Sequence, residues 1–162
     1  MKKQYLIIFC LLVIVSCKPL SKTVVTAMAG IKGDWVLNTI DYEADGVYKI
    51  TLFDQVPAKC LEKSHWKFIS NNNTGKYTIL DTSCKVNESQ NFVWTIPDEM
   101  YGFDYSLMIK PVNKRMVSEL NNKGYRMALS KLDKTTMIWT YEVMADNDKI
   151  VIELNFTKVL TN

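Results

Sequence analysis

The sequence predicts an all-β protein, an antiparallel up-and-down meander that closes into a barrel of eight or nine strands. Apolar residues alternate with polar ones after Gly33, turn residues separate the alternating runs, and no long helical period occurs there. A period of two is typical of antiparallel strands that bury one face. A closed meander also removes exposed strand edges, while a sandwich with crossing connections stays open as an alternative.

Nine segments have the pattern of strands. They are residues 33–40, 47–53, 64–69, 76–81, 91–96, 105–110, 125–130, 136–143 and 149–159. The linker 70–75 contains three asparagines and ends in glycine, which favours a hairpin between the third and fourth strands.

The alternation also selects aromatic side chains for the inside of the barrel. The candidates are Trp66, Phe68, Trp94, Tyr105, Tyr125, Trp139 and Tyr141. These rings either line a cavity for a small hydrophobic molecule or fill the barrel to ordinary packing density. With so many bulky side chains on one face, we expect a filled or narrow interior.

The N-terminus has the pattern of a secretory signal, with Lys2 and Lys3 before an apolar run too short to span a bilayer core of about 30 Å. At its end, Ile-Val-Ser-Cys (14–17) resembles the lipobox of bacterial lipoproteins. The resemblance implies that residues 1–16 are a removed signal peptide and that Cys17 carries diacylglycerol and an acyl chain such as palmitate. An ordinary signal with an incidental cysteine, or an uncleaved anchor, stays open.

Under the lipobox interpretation, residues 17–31 form a lipidated tether that ends in a helical turn, and residues 32–162 form the barrel domain. Two or more acyl chains give durable membrane attachment. Lys18 stands where an aspartate retains some lipoproteins in the inner membrane, so we expect a protein of the cell envelope, anchored by lipid to the outer membrane.

Cysteine usage fits that compartment. Of four cysteines, Cys10 leaves with the signal and Cys17 carries lipid, so Cys60 and Cys84 are left as a disulfide pair in an oxidising envelope. Two free buried thiols, or a metal site, are the alternatives. A metal site is disfavoured because His65 is the only histidine and no CxxC spacing occurs.

Charge and motifs exclude several function classes. The formal net charge is +3 and includes Lys2 and Lys3, so no strongly basic patch indicates nucleic acid. His65 is flanked by Ser64 and Trp66 on the polar face of its strand, so no triad is indicated and we expect no enzyme and no cofactor.

Several short motifs together resemble a known family. Gly33-Asp34-Trp35 looks like the G-x-W signature of lipocalins. The later positions are similar to the lipocalin-like domain of Bacteroidetes envelope lipoproteins, and they are Cys60, Trp66-Lys67-Phe68, Gly75-Lys76-Tyr77, Cys84 and Phe92-Val93-Trp94. The resemblance implies that Trp35 plugs the closed end of the barrel. It also implies an arginine against that tryptophan near the last strand, whereas this chain has Lys158 there and no arginine after Arg126.

Two function classes follow from these expectations. The first is a lipid-anchored protein that binds a small hydrophobic molecule in the barrel, which is what the resemblance implies. The second is an envelope interaction protein, such as an inhibitor or immunity factor, whose barrel is a rigid scaffold and whose loops contact a protein partner.

Overall fold

The computed structural model describes residues 22–42, 48–84, 86, 89–97, 106–118, 120–145 and 148–160. The helices are α1 (Lys22–Ile31) and α2 (Ala58–Leu61). The strands are β1 (Gly33–Tyr42), β2 (Thr51–Leu52), β3 (Val56–Pro57), β4 (His65–Ile69), β5 (Thr74–Thr78), β6 (Ser89–Thr95), β7 (Ser106–Val112), β8 (Tyr125–Leu132), β9 (Thr136–Ala145) and β10 (Asp148–Lys158). The predicted signal 1–16, Cys17 and the interior candidate Tyr105 lie outside the described residues.

Eight of the strands form a closed antiparallel barrel in the order β1-β10-β9-β8-β7-β6-β5-β4, and β4 pairs back onto β1. From β4 to β10, strands that are consecutive in sequence are also neighbours in the barrel, so the predicted all-β meander and its closure are confirmed. Alternation drives this arrangement: in β4, Trp66 and Phe68 are buried between exposed neighbours. Closure leaves no barrel strand with a free edge.

The predicted second strand, residues 47–53, is wrong as a barrel strand. Of the described residues in this range, 48–53, only Thr51–Leu52 forms a strand, and it pairs with β3 in a separate two-stranded sheet. The chain reverses because Phe53 and Asp54 both adopt left-handed backbone, with φ of 53° and 56°. Residues 48–63, which we call the β2–α2 segment, therefore connect β1 to β4 without joining the barrel.

Helix α1 is longer than the single turn expected at the end of the predicted tether. Val24, Ala27 and Ile31 are spaced to share one helical face, and all three are buried. Burying a valine or isoleucine side chain contributes about 1.5–3 kcal/mol, which explains why so short a helix is held. Neither described helix is long and apolar enough to cross a membrane.

The strand directions define two ends of the barrel. At the closed end, β1 begins and β10 ends, and α1 packs there, with the Trp35 indole donating a hydrogen bond of 2.8 Å to the Ile31 carbonyl. At the other end, which we call the mouth, β5 ends and β8 begins. The β2–α2 segment lies across the mouth, because the Phe53 ring contacts Tyr77 of β5 and Tyr125 of β8.

Candidate functional site

Aromatic rings fill the described interior of the barrel around Trp66. Its ring centroid lies 4.7 Å from Tyr77, 5.5 Å from Phe92 and 5.6 Å from both Trp139 and Phe156. Most of these pairs are tilted or edge-on, geometries that add about 0.5–1.5 kcal/mol each beyond the burial of the rings. At this level the barrel is packed with side chains.

Most of the seven interior candidates come together in this core. Those with 3 % of their surface exposed or less are Trp66, Phe68, Trp94, Tyr125 and Trp139. Tyr141 is partly buried and packs against the same cluster, whereas Tyr105 lies outside the described residues. Interior residues that were not nominated are Phe53, Tyr77, Gln90, Phe92 and Phe156. Alternation marks the last two as apolar-face residues, but no local pattern marks Phe53.

One glycine makes room for the aromatic core. A Cβ atom added to Gly75 would lie 2.3 Å from the Phe92 ring and 2.7 Å from the Lys67 carbonyl oxygen. Gly75 and Phe92 are direct partners between β5 and β6, so the phenyl ring occupies the space that a side chain at position 75 would need.

The Phe53 side chain closes the mouth. Its ring is only 4 % exposed, and its centroid lies 5.3 Å from Tyr125 and 6.3 Å from Tyr77 and Trp66. A bulky residue in left-handed backbone is strained by about 1–2 kcal/mol. Phe53 therefore keeps an unfavourable backbone in order to place its ring inside the barrel.

Two further contacts hold the segment that carries Phe53. The Asp54 carboxylate pairs with the Lys123 ammonium, whose nitrogen also lies 5.3 Å from the centroid of the Tyr125 ring. The hydrogen bond from Lys123 lowers the pKa of Asp54 below its usual value. Both side chains of the pair are about half exposed, so its contribution is at most about 1 kcal/mol.

The predicted disulfide is confirmed between Cys60 of α2 and Cys84, which follows β5. It ties the β2–α2 segment to the next connection at the mouth, with a sequence separation of 24 residues. In the chain-entropy description, closing such a loop contributes about 3.5 kcal/mol to the free energy of unfolding.

Two buried polar atoms of the interior, the Trp139 indole nitrogen and the Tyr125 hydroxyl, make no hydrogen bond of ordinary geometry with any described residue, although the Tyr125 hydroxyl lies close enough to the Asp54 carboxylate to lower the pKa of that group. The other three tryptophans of the chain all donate. Trp35 bonds the Ile31 carbonyl, Trp66 the Ser64 hydroxyl and Trp94 the Thr74 carbonyl, at 2.8–2.9 Å. Trp139 is thus the exception in a protein that otherwise satisfies its indole groups.

The hydroxyl of Tyr125 differs from the Trp139 nitrogen, because it interacts with the Asp54 carboxylate. Burial raises the pKa of Tyr125 well above the ordinary value, and the hydrogen bond to Asp54 adds to the rise. Burial also raises the pKa of Tyr77. Both phenols are therefore neutral donors at physiological pH. An unpaired buried donor costs about 1–3 kcal/mol, so this part of the interior favours a hydrogen-bond acceptor.

At the closed end, Gly33 and Trp35 stand where the signature predicts. Trp35 is fully buried, and the Lys158 ammonium nitrogen lies 5.0 Å from the centroid of its rings. The same nitrogen donates a hydrogen bond of 3.1 Å to the Gly30 carbonyl. Lys158 thus makes the cation–π contact that the resemblance assigns to an arginine. Gly33 has φ of 122°, a conformation that a residue with Cβ rarely adopts.

Several cavities lie on the described surface. One, of about 490 Å³, is between α1 and the turn that joins β8 to β9, and it includes Thr26, Leu132 and Lys134. Another, of about 330 Å³, lies against β6, β7 and the turn before β8, and one of about 190 Å³ lies against β7, β8 and β9.

The sequence disfavours two chemical roles, catalysis by His65 and metal binding. His65 is exposed, and its strand neighbours Ser64 and Trp66 are buried and hydrogen-bonded to each other at 2.8 Å. Within the described ranges, no three His, Cys, Asp or Glu side chains come together as they would around a metal ion.

Comparisons with known proteins identify the family. The sequence profile of a lipocalin-like domain matches residues 31–152, which is most of the chain. No curated protein matches the sequence. The barrel is similar to the crystal structure of a lipocalin-like protein from Bacteroides uniformis ATCC 8492, with a TM-score of 0.44 and 8 % identity over 80 % of this chain and 99 % of that one. On the profile match, the chain belongs to the family of lipocalin-like domains.

Proposed function

We propose that this protein is anchored by lipid in the cell envelope and binds a small hydrophobic molecule at the mouth of its barrel, where the Phe53 side chain lies. The ligand is a neutral, planar aromatic compound with at least one hydrogen-bond acceptor. Binding requires the β2–α2 segment to move, because Phe53 fills the space between Tyr77, Tyr125 and Trp66.

The observation that carries this proposal is the buried Trp139 Nε1, which has no hydrogen-bond partner among the described residues, together with the Tyr125 hydroxyl, which interacts with Asp54 of the β2–α2 segment and would lose that contact when the segment moves. A barrel that served only as a scaffold would have no use for either donor, although phenylalanine in place of Trp139 would leave a cavity. An acceptor on a ligand would remove a penalty of about 1–3 kcal/mol for an unpaired donor. Phe53 contacts Tyr125 and Trp66, and Trp66 in turn contacts Trp139, so a molecule that replaced Phe53 would meet Tyr125 directly and would reach Trp139 by extending past Trp66.

The surroundings of this space select the chemistry of the ligand. Its walls are the faces and edges of aromatic rings, which favour another planar ring. No charged side chain is among the buried residues of the described core, so a neutral compound is favoured over an ion. Gln90, buried on the same face of β6 as Phe92, adds a polar group near the mouth.

Two variants test the binding function. Trp139→Phe removes the indole nitrogen, and Tyr125→Phe removes the hydroxyl with little change of shape. Each should weaken the binding of prodan, a neutral naphthalene dye with one carbonyl acceptor, about tenfold. The free energy of unfolding should change little in Tyr125→Phe and should fall in Trp139→Phe, where the smaller ring leaves a cavity. Equal prodan affinity in both variants and the parent protein would rule out the donors as ligand contacts.

The lipid anchor is supported by the lipobox at residues 14–17 and by the disulfide, which is typical of an oxidising compartment. Only four residues separate Cys17 from α1, so the anchor would hold the barrel close to the membrane. Cys17→Ala should abolish fractionation with envelope membranes. A variant that still pellets with them after a salt wash would refute lipidation at Cys17.

The scaffold function has one observation in its favour. The described interior is filled, and apolar side chains are exposed on the mouth side, namely Met116, Val117 and Met144 at 44 %, 58 % and 71 %. Such residues are typical of surfaces that contact a protein. Native mass spectrometry of the protein purified from its own envelope separates the two functions, because a bound small molecule supports the first and a protein adduct the second.

A further inference from the structure

A large cavity among the described residues lies outside the barrel interior, at the closed end. Its volume of about 490 Å³ is within the range of small-molecule sites. Helix α1, the end of β8, the turn into β9 and the end of β10 enclose it. The Phe53 ring and Tyr125 belong to the mouth, and neither they nor Trp139 line this cavity, so it has no part in the site proposed above.

The walls of the cavity have two kinds of surface. Ala27, Leu129 and Leu132 give it an apolar wall, and the first two of these are buried. Three lysines form its rim: Lys131, Lys134 and Lys158. An apolar wall beside a row of ammonium groups suits an amphiphile whose head group is negatively charged.

The charges on the rim are not balanced by the cavity itself. Asp133 is the one carboxylate that lines it, and Lys131 is 3.6 Å from that group. Asp133 also accepts hydrogen bonds from the backbone of Thr135 and Thr136. Lys134 and Lys158 form no ion pair with any described residue, although Lys158 is half buried.

Lys158 shows why an anion is favoured here. Its ammonium is held by a backbone carbonyl and by the face of Trp35, neither of which carries a full negative charge. A partly desolvated cation without a counter-ion among the described residues is unfavourable, and a bound anion would compensate it.

We propose that this closed-end cavity binds the anionic head group and the adjoining hydrocarbon of an amphiphile, with Lys134 and Lys158 contacting the head group. Two sources have this chemistry, a free alkyl carboxylate and an anionic phospholipid of a membrane. The proposal does not depend on ligand binding at the mouth.

Two variants probe the cavity without disturbing the core. Thr26 and Lys134 both line it and are both exposed, so Thr26→Trp fills the space and Lys134→Gln removes one charge. Lys76→Gln is the matched control, because Lys76 is an exposed lysine on the outer face of β5. Far-ultraviolet circular dichroism and thermal melting check that each variant is folded.

The experiment uses the chain from Lys18 onward, which carries every described helix and strand. Decanoate binding is measured by calorimetry, with decanol as the uncharged counterpart, and vesicle binding by sedimentation with and without phosphatidylglycerol. Thr26→Trp and Lys134→Gln should each weaken binding about tenfold, and Lys76→Gln should not. If the cavity variants weaken the binding of decanoate but not of vesicles, the ligand is a free carboxylate. If they weaken binding to the anionic vesicles, the ligand is a membrane lipid.

The result that overturns the proposal is binding of neither ligand, or binding that both cavity variants leave unchanged. Phe53→Ala separates this proposal from the proposed function, because it alters the mouth and leaves the closed end intact. Decanoate binding that tightens in Phe53→Ala and is unchanged in Thr26→Trp would place the carboxylate in the barrel and refute the closed-end site.

Discussion

Replacing Phe53 by alanine distinguishes a displaceable plug from an ordinary core residue. The ring is 4 % exposed and contacts three other aromatic rings. Truncation of a phenylalanine in a core costs about 3–5 kcal/mol of the free energy of unfolding. A cost of that size is expected only if the barrel unfolds whenever the β2–α2 segment leaves the mouth.

The geometry predicts a smaller cost. Burying the phenyl ring contributes about 2–3 kcal/mol and its edge contacts about 1 kcal/mol, while the left-handed backbone at Phe53 costs about 1–2 kcal/mol. The net free energy that keeps the ring in place is therefore about 2 kcal/mol. If the β2–α2 segment can leave the mouth while the barrel stays folded, Phe53→Ala lowers the free energy of unfolding by no more than this net value.

The same free energy sets the gain in ligand affinity. A ligand that competes with Phe53 must first displace it, so removal of the ring should tighten prodan binding about 30-fold, the equivalent of 2 kcal/mol. Urea unfolding followed by tryptophan fluorescence gives the stability, and prodan titration gives the affinity. Phe92→Ala is the control, because Phe92 is fully buried in the barrel and should lose about 3–5 kcal/mol. A loss in Phe53→Ala equal to that of the control, with unchanged prodan affinity, would refute the plug.

The other predictions concern the contacts that hold the mouth and the core. Replacing both cysteines of the Cys60–Cys84 disulfide by alanine should lower the free energy of unfolding by about 3.5 kcal/mol, measured in urea, and a reductant should then have no further effect. Gly75→Ala should cost about 1–3 kcal/mol, because its methyl group would overlap a phenyl ring, and a cost below 0.5 kcal/mol, on the order of a surface change, would contradict this. The lowered pKa of Asp54 predicts stability that is full above its ordinary value of 3.8 and is lost as the pH falls through the lowered pKa. Comparison with Asp54→Asn in acid titrations should show a difference of at most about 1 kcal/mol that vanishes at the lowest pH.

The alternation of apolar side chains was sufficient to predict the barrel strands and most of the aromatic core. The alternation is informative there because each strand buries one face, so the order of residues along a strand shows which side chains are buried. It failed at residues 47–53, where apolar residues are also frequent. Leu52 and Phe53 are both buried although they are adjacent, because the backbone turns between β2 and β3 rather than extending.

Helix α1 and the closed-end cavity could not be predicted from the sequence, for a different reason. The burial of Val24, Ala27 and Ile31 depends on a surface that the closed barrel provides, so ten residues alone give too weak a periodic signal. The contact of Lys158 with Trp35 joins residues from opposite ends of the domain. Only the resemblance indicated that a cation belongs there, and it indicated arginine.

The Trp139 indole has no hydrogen-bond partner among the described residues, and this distinguishes the filled barrel from one that is only a scaffold. The interior is packed, which by itself favours a scaffold, and the indole contributes to that packing, but its nitrogen is left without an acceptor. Phe53, the ring that closes the mouth, is held in left-handed backbone and contacts Trp66, which in turn contacts Trp139. Because the plug offers Trp139 no acceptor and is itself strained, a ligand that displaces Phe53 and reaches past Trp66 with an acceptor gains on both counts.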